Sequence, residues 1–285
     1  MEPKQRSKAV AALVVAAAVV VVALVVALVL AVVTGGDESE VGDTAAPAIS
    51  TAPEQAPADS PSTGPETTDV DLVGRQVTVV ESAGGTPREQ TGEPGSFPAG
   101  QEMVGPPEGL ELQRVTSGTT LMVSTSDGPE TVEGDVMTGY SRSPGGAALL
   151  ASNFMGLGLE MGDAYADFVE QFMPGDVAED PAFLEEIRAR GASVDGRALM
   201  AAQGYSAPRW FRFGQCDENF CTVESAVPSI YEAVGEINSP DPNVGIHDHQ
   251  VSRVSMKWAD DQWEIISPRP MAPVTEIDGS WSKWS

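Results

Sequence analysis

Hydrophobic and polar positions divide the chain into stretches of very different rhythm. From Ala9 to Val33 every residue is Ala, Val or Leu. As a helix this run reaches about 37 Å at 1.5 Å per residue, more than the ~30 Å of bilayer hydrocarbon it would have to cross. Backbone amides without water must pair within the segment, so a transmembrane helix is expected despite the many β-branched valines. Thr34 to Asp69 changes character: Pro, Ala, Ser, Thr, Gly and acids dominate, with Val41 and Ile49 as the large apolar residues. Such a stretch cannot bury enough surface to offset its chain entropy, and is expected to be a disordered, Pro/Ala-rich linker. Asp71 to Val80 reads as a lone strand, and Gly84 to Pro107 returns to Gly/Pro-rich chain. Leu110, Leu112, Val115, Leu121 and Val123 then become available for burial. Residues 70–137 are accordingly expected to form an extended arm packed on the main domain.

The rhythm sharpens beyond residue 138. Ser143-Pro144 is a helix start, a capping side chain followed by the residue best suited to the first helical position. Ala147, Leu150, Phe154, Leu157 and Met161 follow at helical spacing, one apolar face. Asp163 is the expected cap of a second helix, with Tyr165, Phe168, Val169 and Phe172 on its apolar side and Pro174-Gly175 as its stop. Asp180-Pro181 opens a third, with Phe183, Leu184 and Ile187, ended by Gly191. After Tyr205 the period shortens. Arg209–Gln215 and Phe220–Val227 flank a polar turn, and Val251–Trp258 leads through Asp260-Asp261 into Trp263–Ile266. Trp258 and Trp263 are expected to meet as a cross-strand aromatic pair. Helices followed by hairpins predict an α+β domain over 138–285, with helices packed on a curved antiparallel sheet.

Charge orients this arrangement. Lys4, Arg6 and Lys8 precede the apolar run; Asp37, Glu38, Glu40 and Asp43 follow it. By the positive-inside rule residues 1–8 are a cytoplasmic tip, residues 9–33 the span into the cell membrane, and the remainder extracytoplasmic. A cleaved signal peptide would share the basic start, but its apolar core is normally 7–15 residues, and no clear small-x-small cleavage site follows. The chain carries 16 Lys and Arg against 42 Asp and Glu, a net charge of −26. Outside residues 1–33, which hold three basic residues and one acidic, 13 basic residues face 41 acidic ones. That balance argues against nucleic acid as a partner, since phosphate neutralisation needs clustered cations. It also repels anionic headgroups and keeps the molecule soluble, or reflects a saline habitat.

Candidate chemistry is sparse. Cys216 and Cys221, the two cysteines of the chain, bracket the Asp217–Phe220 turn at the mouth of one hairpin. In an exported domain they are expected to form a structural disulfide. A thiolate metal site would need softer companions than Asp217 and Glu218, and a redox pair usually has closer spacing at a helix start. His247 and His249 would share a face if their segment is a strand, as a metal site would want, though a solvent-facing loop is the commoner setting. Gly156 and Gly158 inside the first helix allow a close neighbour or a kink. No nucleophile elbow, phosphate-binding loop or Cys/His nucleophile set occurs. No catalytic, cofactor or metal residues are therefore expected. Trp281 and Trp284, at a polar terminus, are candidates for contact with a partner; the competing and favoured expectation is that they fold back on the domain.

The segment Gly139-Tyr140-Ser141-Arg142-Ser143-Pro144-Gly145-Gly146-Ala147, the strands Val251–Trp258 and Trp263–Ile266, and the tail Gly279-Ser280-Trp281-Ser282-Lys283-Trp284 together resemble a family of uncharacterised actinobacterial single-span membrane proteins. The resemblance covers roughly Pro106 to Ser285 and implies genes found near integrative and conjugative elements. The order of helices and then sheet also looks like the NTF2-like (cystatin-like) fold of VirB8/TcpC-type scaffold proteins, which is an analogy of architecture. The Cys pair and the long Ser229–His249 insertion depart from that pattern. The resemblance implies a non-enzymatic, membrane-anchored extracytoplasmic scaffold or accessory protein, with a conjugation or type IV secretion-like apparatus as one expected setting, envelope proteins as partners and self-association open. The alternatives are an extracytoplasmic small-ligand-binding module, with a pocket lined by Phe154, Phe168, Trp210 and Phe213, and a Mce-type transport accessory protein. An enzyme built on such a pocket would need an acid such as Asp163 or Asp167 poised inside it.

Overall fold

The computed structural model describes residues 67–71, 73–98, 103–175, 178–193, 207–228 and 249–285. The run 9–33, expected to cross the membrane, lies outside the described residues, as do His247 and residues 34–66 of the expected linker. Among the described residues no helix is long and apolar enough to cross a membrane.

The fold is α+β, three helices and a set of short and long strands. In chain order these are β1 (Thr67–Val70), β2 (Gln76–Val79), β3 (Glu111–Arg114), β4 (Thr120–Val123), β5 (Thr131–Glu133) and β6 (Val136–Thr138). There follow α1 (Pro144–Glu160), α2 (Asp163–Phe172) and α3 (Pro181–Ser193). Then come β7 (Trp210–Cys216), β8 (Phe220–Ala226), β9 (Val251–Ala259), β10 (Gln262–Pro270) and β11 (Ser282–Lys283). They form a four-stranded sheet ordered β1-β2-β3-β4, a five-stranded sheet ordered β10-β9-β8-β7-β11, and the β5-β6 hairpin.

The region expected to be a linker end and an arm is thus six strands. β1 starts at Thr67, inside the expected linker, and β2 is no lone strand: it pairs antiparallel with β1 and parallel with β3. These strands are three or four residues long, too short for alternation to show. The β2–β3 pairing also joins segments more than thirty residues apart, across coil that carries no periodicity. Leu112, Val115, Leu121 and Val123 are buried as their spacing suggests.

Helix α1 explains how the two halves become one body. The spacing suggested one apolar face, but its residues from Pro144 to Phe154 are buried all round. The helix lies between β4 of one sheet and β8 of the other, so both sides need small or apolar residues. The main hydrophobic core runs from Val77 and Leu121 through Leu149 and Phe168 to Val254 and Trp263. Gly156 is where β4 comes closest. A Cβ there would sit 3.2 Å from the Thr119 methyl and 3.5 Å from the Thr120 carbonyl.

Two helix boundaries differ from expectation. Asp163 is the first helical residue of α2 and not its cap; Gly162 takes that position at φ +90°. Gly191 does not end α3, which runs on to Ser193. Both departures have one cause. A Cβ on Gly191 would fall 2.2 Å from the Gly162 Cα, so the two glycines let α3 cross the start of α2 in direct backbone contact. In the C-terminal sheet, Asp260 and Asp261 both hold positive φ (50° and 59°), as the two-residue β9–β10 turn requires. The register is irregular in β7 between Phe213 and Cys216 and in β10 between Ile265 and Ser267.

Candidate functional site

The segment Gly139–Ala147 is a junction. Ser143 caps α1, its Oγ accepting from Gly146 N at 2.9 Å. The same hydroxyl donates to Asp127, a buried carboxylate in the turn after β4. Asp127 also accepts from Ser126 Oγ at 2.5 Å and Gly95 N at 3.1 Å, with Ser141 Oγ at 3.4 Å. Gly145 has no room for a side chain, because a Cβ would lie 2.5 Å from Asp127 Oδ1. Ser141 O takes the indole N–H of Trp263 at 2.9 Å, and Arg142 reaches the β7–β8 turn at Glu218 O and Asn219 Oδ1. One loop therefore ties the first sheet, α1 and the second sheet together. Its polar side chains, Tyr140, Ser141, Arg142 and Ser143, are all engaged within the domain, so the motif that carries the sequence resemblance is spent on architecture.

Asn153, in the middle of α1, does a related job. Its amide donates to Met122 O at 3.0 Å and accepts from Met122 N at 2.7 Å, completing the free edge of β4 as a further strand would, and also donates to Tyr140 Oη. A lone Asn inside an apolar helix is the signal that could have found it. At the other end of the helix, burial pushes the Glu160 carboxyl up to about 7, against a hydrogen bond from Ser117 Oγ that favours its charged form.

The residues singled out by sequence do not converge on one site. Cys216 and Cys221 face each other across the hairpin register and form a disulfide. Trp258 and Trp263 are register partners, edge to face with centroids 5.3 Å apart. Trp281 and Trp284 are both buried against the domain. The tail folds back because β11 pairs with β7, Trp284 packs on Phe211 with ring centroids 4.1 Å apart and gives its N–H to Val104 O, and Arg75 and Arg209 hold Ser285. His249 is buried beside Trp210, with ring Nδ1 3.2 Å from Val227 O. Among the described residues no three His, Cys, Asp or Glu side chains lie close enough to hold a metal. Asp163 and Asp167 are on the surface, ion-paired with Arg188. Phe154 packs on Phe168 and Tyr165, Phe213 on Trp284, and Trp210 joins a separate cluster with Val251 and Trp281, so these four aromatics do not enclose a common pocket. A cleft of about 400 Å³ opens between β2, β3 and the tail, lined in part by Arg75, Glu111 and Trp284. Its charges are engaged, Arg75 with Asp71 and Glu111 with Arg88.

The outer face of the second sheet has its own order. Val223, Val254, Met256 and Ile265 point into the core, so their alternates point away. Register places Arg212 beside Glu224, Glu224 beside Arg253, and Arg253 beside Arg269, one straight row across four strands. Glu224 accepts from Arg212 Nε at 2.7 Å and from Arg253 Nε at 2.8 Å. Arg212 also lies 4.5 Å over the Trp281 ring. The next row is small and hydroxylated: Thr222, Ser255 and Ser267, with Gly214 against Thr222. A third row pairs Lys257 with Glu264 at 2.6 Å. Composition did not reveal this face, because its members lie far apart in sequence and only the register assembles them.

Fold and surface together define an α+β domain of two sheets around a central helix, with its polar order at a junction loop and on one open sheet face. Over residues 76–282 the chain matches the model of a family described as domain of unknown function DUF8175, and it belongs to that family. Comparison with curated proteins and with solved structures returns no match.

Proposed function

We propose that the chain is a non-enzymatic, membrane-anchored extracytoplasmic scaffold or accessory protein. Residues 1–8 would stay in the cytoplasm, 9–33 would cross the cell membrane, and the acidic linker would carry the α+β domain outward. The observation that carries the proposal is the conjunction of a 25-residue run of Ala, Val and Leu with a hairpin disulfide beyond it, a bond that persists on the oxidising side of a membrane. Support for a contact-making role comes from the packing. The aromatic residues that a ligand pocket would have needed are packed into separate parts of the domain, Phe154 on Phe168, Phe213 on Trp284 and Trp210 on His249, and polar order is displayed on a sheet face. The sequence resemblance to envelope proteins near conjugative elements, with its NTF2-like analogy, makes a conjugation apparatus the setting we favour. Self-association within such an assembly is compatible with the long tether.

Crosslinking in intact cells followed by purification from membranes tests this. Recovery of defined envelope proteins, with loss of DNA transfer on deletion, is the expected result. Recovery of the chain alone, with transfer intact, removes the conjugation setting; lipid-transport components in its place would favour the Mce-type alternative.

A further inference from the structure

We infer that the outer face of β7–β10 is a docking surface for an extended, acidic polypeptide segment of a partner protein, received along the arginine row Arg212, Arg253, Arg269 and the hydroxyl row Thr222, Ser255, Ser267. The inference takes its biological sense from the proposed scaffold role, but the binding it describes does not need the membrane anchor.

The charge of this face runs against the rest of the molecule. In a chain with 42 acidic and 16 basic residues, the row sets three guanidiniums against one carboxylate. Glu224 serves Arg212 and Arg253 together, and Asp278 of the tail adds its charge near Arg212. Arg269 donates to Ser267 Oγ at 3.1 Å and, among the described residues, meets no carboxylate. Exposed arginines with too few carboxylates attract anions, and their planar forks suit carboxylates in particular.

Shape selects the kind of anion. The neighbouring row is flat, since Gly214, Thr222, Ser255 and Ser267 raise nothing taller than a hydroxyl, and Trp281 beside Arg212 forms a wall on the far side. Adjacent strands lie about 4.8 Å apart, so the row spans roughly 14 Å from Arg212 to Arg269. An extended peptide presents every second side chain at about 7 Å, which brings successive carboxylates within reach of successive guanidiniums. Its backbone can then exchange hydrogen bonds with the hydroxyls. Exposed Ile266, beside this row on β10, offers an apolar contact. Strand addition at the β10 edge is opposed by Pro268, Pro270 and the irregularity between Ile265 and Ser267, which leaves the face as the binding element. A bilayer or a duplex would bring its phosphates against the acidic remainder of the molecule as well, whereas a single extended segment touches this face alone.

The test uses the full chain in non-ionic detergent and a fluorescent peptide of alternating Glu and Ser, about ten residues long so that it outreaches the row. Saturable binding is expected, absent for the same peptide with Lys in place of Glu, and weakened as salt screens the charges. Arg269→Glu should weaken it about tenfold, through one lost attraction and one new repulsion, with the urea midpoint unchanged. Ser255→Tyr, which raises a ring from the floor without altering charge, should weaken it too. The inference is overturned if neither substitution changes the affinity, or if the acidic peptide does not bind. Phosphatidylglycerol vesicles binding in its place with the same Arg269 dependence, or inorganic phosphate displacing it at equal ionic strength, would also overturn it. Loss of peptide binding with the chain still in membranes would defeat this inference alone; intact binding by a chain found outside membranes would defeat only the anchoring.

Discussion

Asp127 and Glu160 sit at opposite ends of α1, and the helix treats them differently. Asp127 is surrounded by hydroxyl and amide donors at the helix start, where negative charge is favoured. Asp127→Asn turns acceptor lone pairs into an N–H₂ aimed at donors, and should cost about 3 kcal/mol in urea unfolding, because hydrogen bonds to a buried charge are the strong ones. Glu160 lies at the helix end, and burial raises its pKa from 4.5 to about 7 against hydrogen bonds from Ser117 and the Thr119 amide. A raised acid binds its proton more tightly in the folded state, so its presence costs nothing below about pH 4.5 and costs progressively more up to about pH 7. After allowance for its partial exposure, Glu160→Gln should be about 1 kcal/mol more stabilising at pH 8 than at pH 5, measured by urea unfolding at both. Ser143-Pro144 was legible in sequence because a cap is local. Asp127 was not, since its partnership with Ser143 spans a turn and the β5–β6 hairpin.

At the scale of elements, the sequence was legible wherever pattern and punctuation agree over eight or more residues. The three helices, the 209–227 and 251–266 hairpins, the Asp260-Asp261 turn and the Trp258–Trp263 pair all have local signals. Gly191 misled because a glycine that ends a helix and one that admits a neighbouring backbone look alike in a single chain. The disulfide closes a very short loop, so Cys216→Ser with Cys221→Ser should cost only about 2 kcal/mol and leave the circular dichroism spectrum unchanged. The tail is a larger contributor. Trp284 fills the space against Phe211 and Phe213 and donates to Val104 O. Trp284→Ala should cost about 3–5 kcal/mol, well above the disulfide, by the same unfolding measurement.

The whole molecule joins two sheets through a helix with no exposed face over its first eleven residues, and that is why a run as plain as Pro144 to Phe154 can hold the centre of the fold. Non-local pairing of β2 with β3 and the assembly of the arginine row were beyond the reach of periodicity, because each depends on register between distant segments. The arginine row, set in a chain of 42 acidic and 16 basic residues, is the basis of the contact we propose, and the 25-residue apolar run is the basis of the membrane anchoring we propose. Protease treatment of intact cells or spheroplasts, combined with fractionation and maleimide labelling, tests this arrangement most directly. The chain should sediment with membranes, resist carbonate extraction and lose its folded domain to external protease, with Cys216 and Cys221 labelled only after reduction. Full-length chain in the soluble cytosolic fraction, with both thiols labelled before any reductant is added, would contradict it.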